Sequence, residues 1–140
     1  MRLVLDTNIV IAALIKDSLT RQIFFLPDFE LLLPEYALEE VARHRAKIAR
    51  HSHLSHQEID LLLSLLLESV TVVPAHRILP HLKEAEALIG DLDKDDIPFV
   101  ALALAVENDG IWSNDRAFEQ VPGITLWKTA DIKGYLQKRS

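Results

Sequence analysis

Two hydrophobic rhythms alternate along this chain. Short, nearly continuous apolar runs at residues 2–5, 30–33, 70–73 and 111–113 predict strands, and 124–127 predicts a fifth. Runs of this kind, broken off by polar residues or proline, suit a sheet buried on both faces. The longer stretches between them predict helices at 8–15, 20–26, 35–50, 79–89, 97–107 and 129–138, with a polar loop at 16–18 and Pro27 and Pro34 as stops. Over 35–50, Leu38, Val41, Ala42, Ile48 and Ala49 recur at helical spacing and leave Glu40, Arg43, His44, Lys47 and Arg50 on the other side. Ser55 followed by Glu58 has the pattern of a capping box. The helix it opens runs to about Glu68 and is apolar nearly all round at Ile59, Leu61 to Leu63 and Leu65 to Leu67, which predicts burial, partly against another chain. A polar loop at 90–94 leads into the apolar helix 97–107, and Asn108-Asp109-Gly110 stops it. The alternation of strand and helix predicts an α/β fold with a parallel sheet covered by helices on both faces.

Composition narrows this picture. The chain has 140 residues, 49% hydrophobic and 26% charged, which suits one folded domain rather than a disordered chain. The absence of cysteine excludes disulfides, zinc–thiolate sites and thiol nucleophiles, and leaves a reducing cytoplasm as the default setting. The amino-terminal apolar stretch meets Asp6 too early to be a signal-peptide core, and the longest apolar run, 99–106, is far short of the roughly 20 residues of a membrane span. A net charge of −6 and a pI near 5.4 argue at first against nucleic acid, which normally selects a basic surface. Carboxylates that converge on divalent cations reverse that argument, because bound ions invert the local sign.

Four acids are placed to converge. Ligands of open parallel sheets bind beyond the carboxyl ends of the strands. Asp6 ends the first strand, Asp115 lies just past the strand 111–113, Asp96 starts the helix feeding that strand, and Glu40 lies on the helix after the second strand. Singly, each aspartate reads as a helix cap and Glu40 as an exposed residue paired with Arg43 or His44. Jointly they offer the hard oxygen donors that Mg2+ and Mn2+ prefer, and phosphodiester cleavage uses such ions. Two carboxylates about 5 Å apart repel by roughly 3 kcal/mol at an effective dielectric of about 20, so such a cluster makes better sense with a cation in it.

These residues carry a family resemblance. Leu3-Val4-Leu5-Asp6-Thr7-Asn8 resembles the opening signature of PIN domains, an apolar strand ending in Asp-Thr-Asn. Pro34-Glu35-Tyr36-Ala37-Leu38-Glu39-Glu40-Val41 resembles the second acidic motif, with Glu40 preferred over Glu39 on register. Asp93-Lys94-Asp95-Asp96-Ile97-Pro98-Phe99 is similar to the third, where Asp96 matches the acid and Asp93 and Asp95 are candidates for supporting roles. Ile111-Trp112-Ser113-Asn114-Asp115 resembles the fourth, with Ser113 at the small hydroxyl position and Asp115 as the acid. The resemblance spans nearly the whole chain. It implies a three-layer α/β/α sandwich with a central parallel sheet of four to five strands and cleavage of single-stranded RNA with Mg2+ or Mn2+. It also implies frequent homodimers and, in many prokaryotic members, a toxin role beside an antitoxin protein. On this resemblance Asp6 and Asp96 are the primary metal ligands, Asp115 and Glu40 complete the site, and Asn8 and Ser113 orient carboxylates or water.

Other features admit two readings each. Arg43, Lys47 and Arg50 are candidates to meet RNA phosphates, against the plainer reading of a solvated helix face. His51, His53 and His56 invite a transition-metal reading but lie in a polar stretch with no recognised fourth ligand. Trp112 and Trp127 could stack on bases, although their apolar strands favour the core. Two rival functions stand beside the nuclease. One is a phosphotransfer domain with Asp6 as phosphoacceptor, which needs a lysine near the crevice and finds only Lys128; the other is a binding module that has kept the fold without catalysis.

Overall fold

The computed structural model describes residues 1–89 and 93–139, so the predicted loop at 90–94 falls partly outside the described residues. Its centre is a sheet of β1 (Arg2–Leu5), β2 (Glu30–Pro34), β3 (Val70–Val73), β4 (Gly110–Trp112) and β5 (Leu126–Trp127), every pairing parallel, in the order β3-β2-β1-β4-β5. The helices are α1 (Thr7–Ile15), α2 (Leu19–Ile23), α3 (Tyr36–Arg43), α4 (Arg45–Ser52), α5 (His56–Leu67), α6 (Ala75–Ile78), α7 (Leu82–Ile89), α8 (Ile97–Ala105) and α9 (Thr129–Arg139).

The apolar runs explain the strand order. Leu3, Val4 and Leu5 are fully enclosed because β1 lies in the middle of the sheet with helices on both of its faces. From β1 the chain steps outward to β2 and β3, then returns to the far side of β1 for β4 and β5. With the right-handed crossovers that parallel strands favour, this order puts α1–α5 on one face and α6–α8 on the other. The packing agrees: α1 meets α2, α3 and α4, whereas α8 lies on β1, β2 and β4 beside α6 and α7. The result is the expected three-layer α/β/α sandwich on a five-stranded parallel sheet. Among the described residues, no helix is long and apolar enough to cross a membrane.

Several boundaries depart from the sequence reading. The single helix expected over 35–50 is two, broken at His44 (φ −96°, ψ 11°), whose N–H is shared between the Glu40 and Val41 carbonyls. Periodicity does not register the break, because Val41 and Ile48 stand two turns apart in either geometry. The second segment instead buries Ile48 and brings Arg45 to Asp60 and His56 of α5. The helix expected over 79–89 starts earlier and is interrupted, as α6, a 3-10 turn at Leu79–His81, and α7. Pro80 accounts for the interruption, since it lacks an N–H and its ring crowds the carbonyl one turn back. β4 begins at Gly110, a residue the sequence reading took only as part of a stop signal. Its φ of +141° suits glycine, and a Cβ there would land on the Thr125 carbonyl oxygen of the neighbouring chain segment. Finally, α5 is not buried all round: Ile59 and Leu66 are enclosed, but Leu61 is 64% exposed and Leu65 42% exposed.

Candidate functional site

The order of the sheet reverses between β1 and β4, and in open α/β sheets such a switch point opens a crevice at the carboxyl ends of the strands. Helices that return the chain run antiparallel to the strands, so the amino-terminal ends of α1, α3 and α8 face the same edge. Asp6 follows β1, Ser113 and Asp115 follow β4, Glu40 lies on α3, and Asp96 precedes α8.

Asp6 is held from two sides. The Ser113 hydroxyl donates to its Oδ2 at 2.7 Å, and the Asn8 backbone N–H donates to its Oδ1 at 3.5 Å. Ser113 is fully buried, and its Oγ accepts from the Asp115 N–H at 3.0 Å. With that acceptor role filled, its one proton is directed to Asp6. Burial pushes the Asp6 carboxyl above its usual range, the Ser113 and Asn8 hydrogen bonds oppose this, and the Asp115 charge adds to it. Asp115 itself is exposed and accepts the Ala117 N–H at 2.9 Å, capping a 3-10 turn at Arg116–Gln120. The plain capping reading and a place at the site therefore coexist at Asp115.

Glu40 is half-buried, while its neighbour Glu39 is exposed. The Thr7 hydroxyl donates to Glu40 Oε1 at 2.6 Å across 33 residues of sequence. Burial raises the Glu40 carboxyl, Thr7 lowers it, and the charges of Asp95 and Asp6 raise it again. Thr7 is a buried residue that sequence reasoning passed over in favour of Asn8. The recorded contact of Asn8 is through its backbone, and its side chain is exposed. The available signal was burial, since a hydroxyl in the first turn of an apolar helix must find a partner there.

Asp96 differs from the others. It occupies the cap position of α8 (φ −83°, ψ −14°), yet its side chain makes no capping hydrogen bond. Its carboxyl is pushed up to about 7, by burial first and then by the charges of Asp6, Asp115, Asp93 and Asp95. Capping in this segment falls to Asp93, which accepts the Asp95 N–H at 3.0 Å and begins the 3-10 turn Lys94–Asp96. The helix-cap explanation of Asp96 thus does not hold.

The Asp115 charge raises the Asp6 carboxyl, the Asp6 charge raises Glu40, and the charges of Asp6 and Asp115 raise Asp96, so that Asp6, Glu40 and Asp96 are all shifted upward. Among the described residues, however, no three acidic or histidine side chains already enclose a position for an ion. The donor set fits a hard divalent cation by chemistry, being all carboxylate, partly desolvated and mutually repulsive, but it is not a closed shell. His51, His53 and His56 form no such group either, and His56 Nδ1 accepts from Arg45 at 2.9 Å.

Arg43, Lys47 and Arg50 are exposed, the last two on α4, and the Arg43 guanidinium lies 5.5 Å from the centre of the Tyr36 ring. Trp112 is fully buried and donates to Thr129 at 3.0 Å, while Trp127 is half-buried and donates to the Asp109 carbonyl at 3.0 Å. Both tryptophans therefore serve the fold. Lys128, the lysine that a phosphoacceptor role for Asp6 would need, is paired with Glu119 at 3.7 Å.

No curated protein matches the chain closely enough to serve as a named relative. A family model for the PIN domain matches residues 4–137, a span that contains all four acids. That span is nearly the whole chain, the five-stranded parallel sheet flanked by helices is consistent with it, and on it the chain belongs to the PIN-domain family.

Proposed function

We propose that this chain, acting as one domain in the cytoplasm, is an endoribonuclease that hydrolyses single-stranded RNA with Mg2+ or Mn2+. PIN domains are generally nucleases, and the observation that carries the finer reading is Asp96. An aspartate that leaves its helix cap unmade, among three other acids at a switch point, is spending stability on something other than folding.

Asp6 and Asp96 are the primary ligands in this reading, with Asp115 and Glu40 completing the site. When bound, the metal activates water and stabilises the departing oxygen of a phosphodiester. The chain's own residues orient the donors. Ser113 fixes the rotation of Asp6 through Oδ2, and Thr7 fixes Glu40 through Oε1, leaving Glu40 Oε2 to take a proton from the attacking water. The raised Glu40 carboxyl makes it a better base than a surface glutamate. Arg43, Lys47 and Arg50 offer exposed cations to flanking phosphates. The exposed Leu61 and Leu65 on α5, which line a groove of about 470 Å3 together with Ile15, Leu62, Arg21 and Glu58, support a homodimer. A toxin role with an antitoxin partner completes the reading.

The test is cleavage of a short fluorogenic single-stranded RNA. Activity should need Mg2+ or Mn2+ and stop with EDTA, and Asp6→Asn should remove nearly all turnover while leaving the fold intact. Full activity in excess chelator would rule the mechanism out.

A further inference from the structure

The three aspartates of the acid-bearing turn are used in three different ways. Asp93 shapes the turn, its side chain accepting the Asp95 N–H and its carbonyl accepting the Asp96 N–H, each at 3.0 Å. Asp96 makes no cap and is left to the crevice. Asp95 reaches away from the turn, and its Oδ1 accepts the Tyr36 hydroxyl at 3.2 Å across 59 residues of sequence. Tyr36 opens α3, the helix that carries Glu40 one turn later. The Arg43 guanidinium lies 5.5 Å from the ring centre and also engages the Tyr36 hydroxyl, and its charge lowers the Glu40 carboxyl.

We propose that Tyr36 is a positioning residue, whose hydroxyl acts through Asp95 to hold the turn bearing Asp96 against the helix bearing Glu40. The proposal rests on reading the crevice as a metal centre. Like charge opposes the approach of this turn to α3 through Asp95 and Glu40, and its approach to the ends of β1 and β4 through Asp96 with Asp6 and Asp115. A hydrogen bond between the two elements opposes that repulsion at the point where the acids must stay near one another before any cation arrives. Its exposure makes it a weak contributor to global stability, so its effect belongs in the preorganisation of the donors.

Tyr36→Phe keeps the ring beside Arg43 and removes the hydroxyl, and with it the contacts of that hydroxyl to both Asp95 and Arg43, which is why the Asp95 variants are needed to assign the effect to Asp95. Mn2+ binding to the metal-free protein, followed by isothermal titration, should weaken by about three- to tenfold, with a melting temperature within about 2 °C of wild type. Asp95→Ala should do the same, and the double variant should be no weaker than Asp95→Ala alone, because both changes break one link. Asp95→Asn separates charge from tether: it keeps an oxygen acceptor, so Tyr36→Phe should still weaken binding in that background. Wild-type affinity in Tyr36→Phe, or losses that multiply in the double variant, would overturn the proposal. The amide resonances of Asp95 and Asp96 in the metal-free protein provide an arm that needs no cation. They should move in Tyr36→Phe, and unchanged positions would overturn the tether even if Mn2+ binds. Moved resonances in a protein that binds no Mn2+ would leave the tether standing and sink the metal-centre reading, and with it the tether's role in metal binding.

Discussion

Replacing Asp96 by asparagine should make the metal-free protein more stable, and the gain should depend on pH. The carboxyl is pushed up to about 7 from an ordinary value of 3.8, so the folded state holds a proton that the unfolded state has released. A group raised in this way contributes its stability fully below about 4 and loses it as pH rises through about 7. Three units at about 1.4 kcal/mol each give on the order of 4 kcal/mol, but Asp96 is only half-buried and solvent screens its neighbours, which leaves about 1 to 2 kcal/mol. For a chain of this size that is a rise in melting temperature of roughly 3 to 7 °C for Asp96→Asn at pH 8 in EDTA. The advantage should vanish near pH 4, where wild-type Asp96 is protonated. Saturating Mg2+ should then reverse the order, since a ligand at 100 times its Kd stabilises by about 2.7 kcal/mol and the variant has lost a donor. Thermal melts of both proteins at pH 4 and pH 8, with EDTA and with Mg2+, make the comparison. Parallel melting behaviour across all four conditions would refute the argument and return Asp96 to an ordinary helix start.

Three further outcomes follow from the packing. Ser113→Ala removes a fully buried donor from Asp6 and should cost about 1 to 3 kcal/mol in urea denaturation, more at pH 8 than at pH 5, because the Asp6 carboxylate then lacks its main support. Gly110→Ala sets a Cβ against the Thr125 carbonyl at a φ of +141° and should destabilise by about 2 kcal/mol or more; a denaturation midpoint equal to wild type would contradict the described close approach of β4 and β5. Light scattering over a dilution series should find a dimer that Leu61→Glu breaks into monomers, and a monomeric wild type at high concentration would end the homodimer proposal.

The strands were legible because each is a short apolar run in a sheet buried on both faces, and the order of elements followed from the alternation. What sequence periodicity could not show was where a helix bends without changing its apolar face. Val41 and Ile48 keep their spacing across the break at His44, and the cause is tertiary: the reach of Arg45 to Asp60 and His56 on a helix that begins after it. Gly110 was visible as a turn residue, but the reason for it was not, because the Thr125 carbonyl that forbids a side chain there belongs to a distant part of the chain.

The site divides along the same line. Strand ends and helix starts lead to an expectation of acids at one edge, and the choice of Glu40 over Glu39 rests on the family resemblance. The groups that orient them could not be placed in this way. Thr7 meets Glu40 across 33 residues and Tyr36 meets Asp95 across 59, and neither pairing leaves a trace in local spacing. The hydroxyls supply what charge cannot. Like charges in a crevice repel and would scatter, and each additional acid makes the empty site less stable. Ser113 and Thr7 each hold one oxygen of an acid while adding no charge, and Tyr36 extends the same device to the turn that carries Asp96. The proposed metal centre would thus need two populations of residues: acids that destabilise the empty site, and neutral donors that keep those acids within reach of one another until the cation binds.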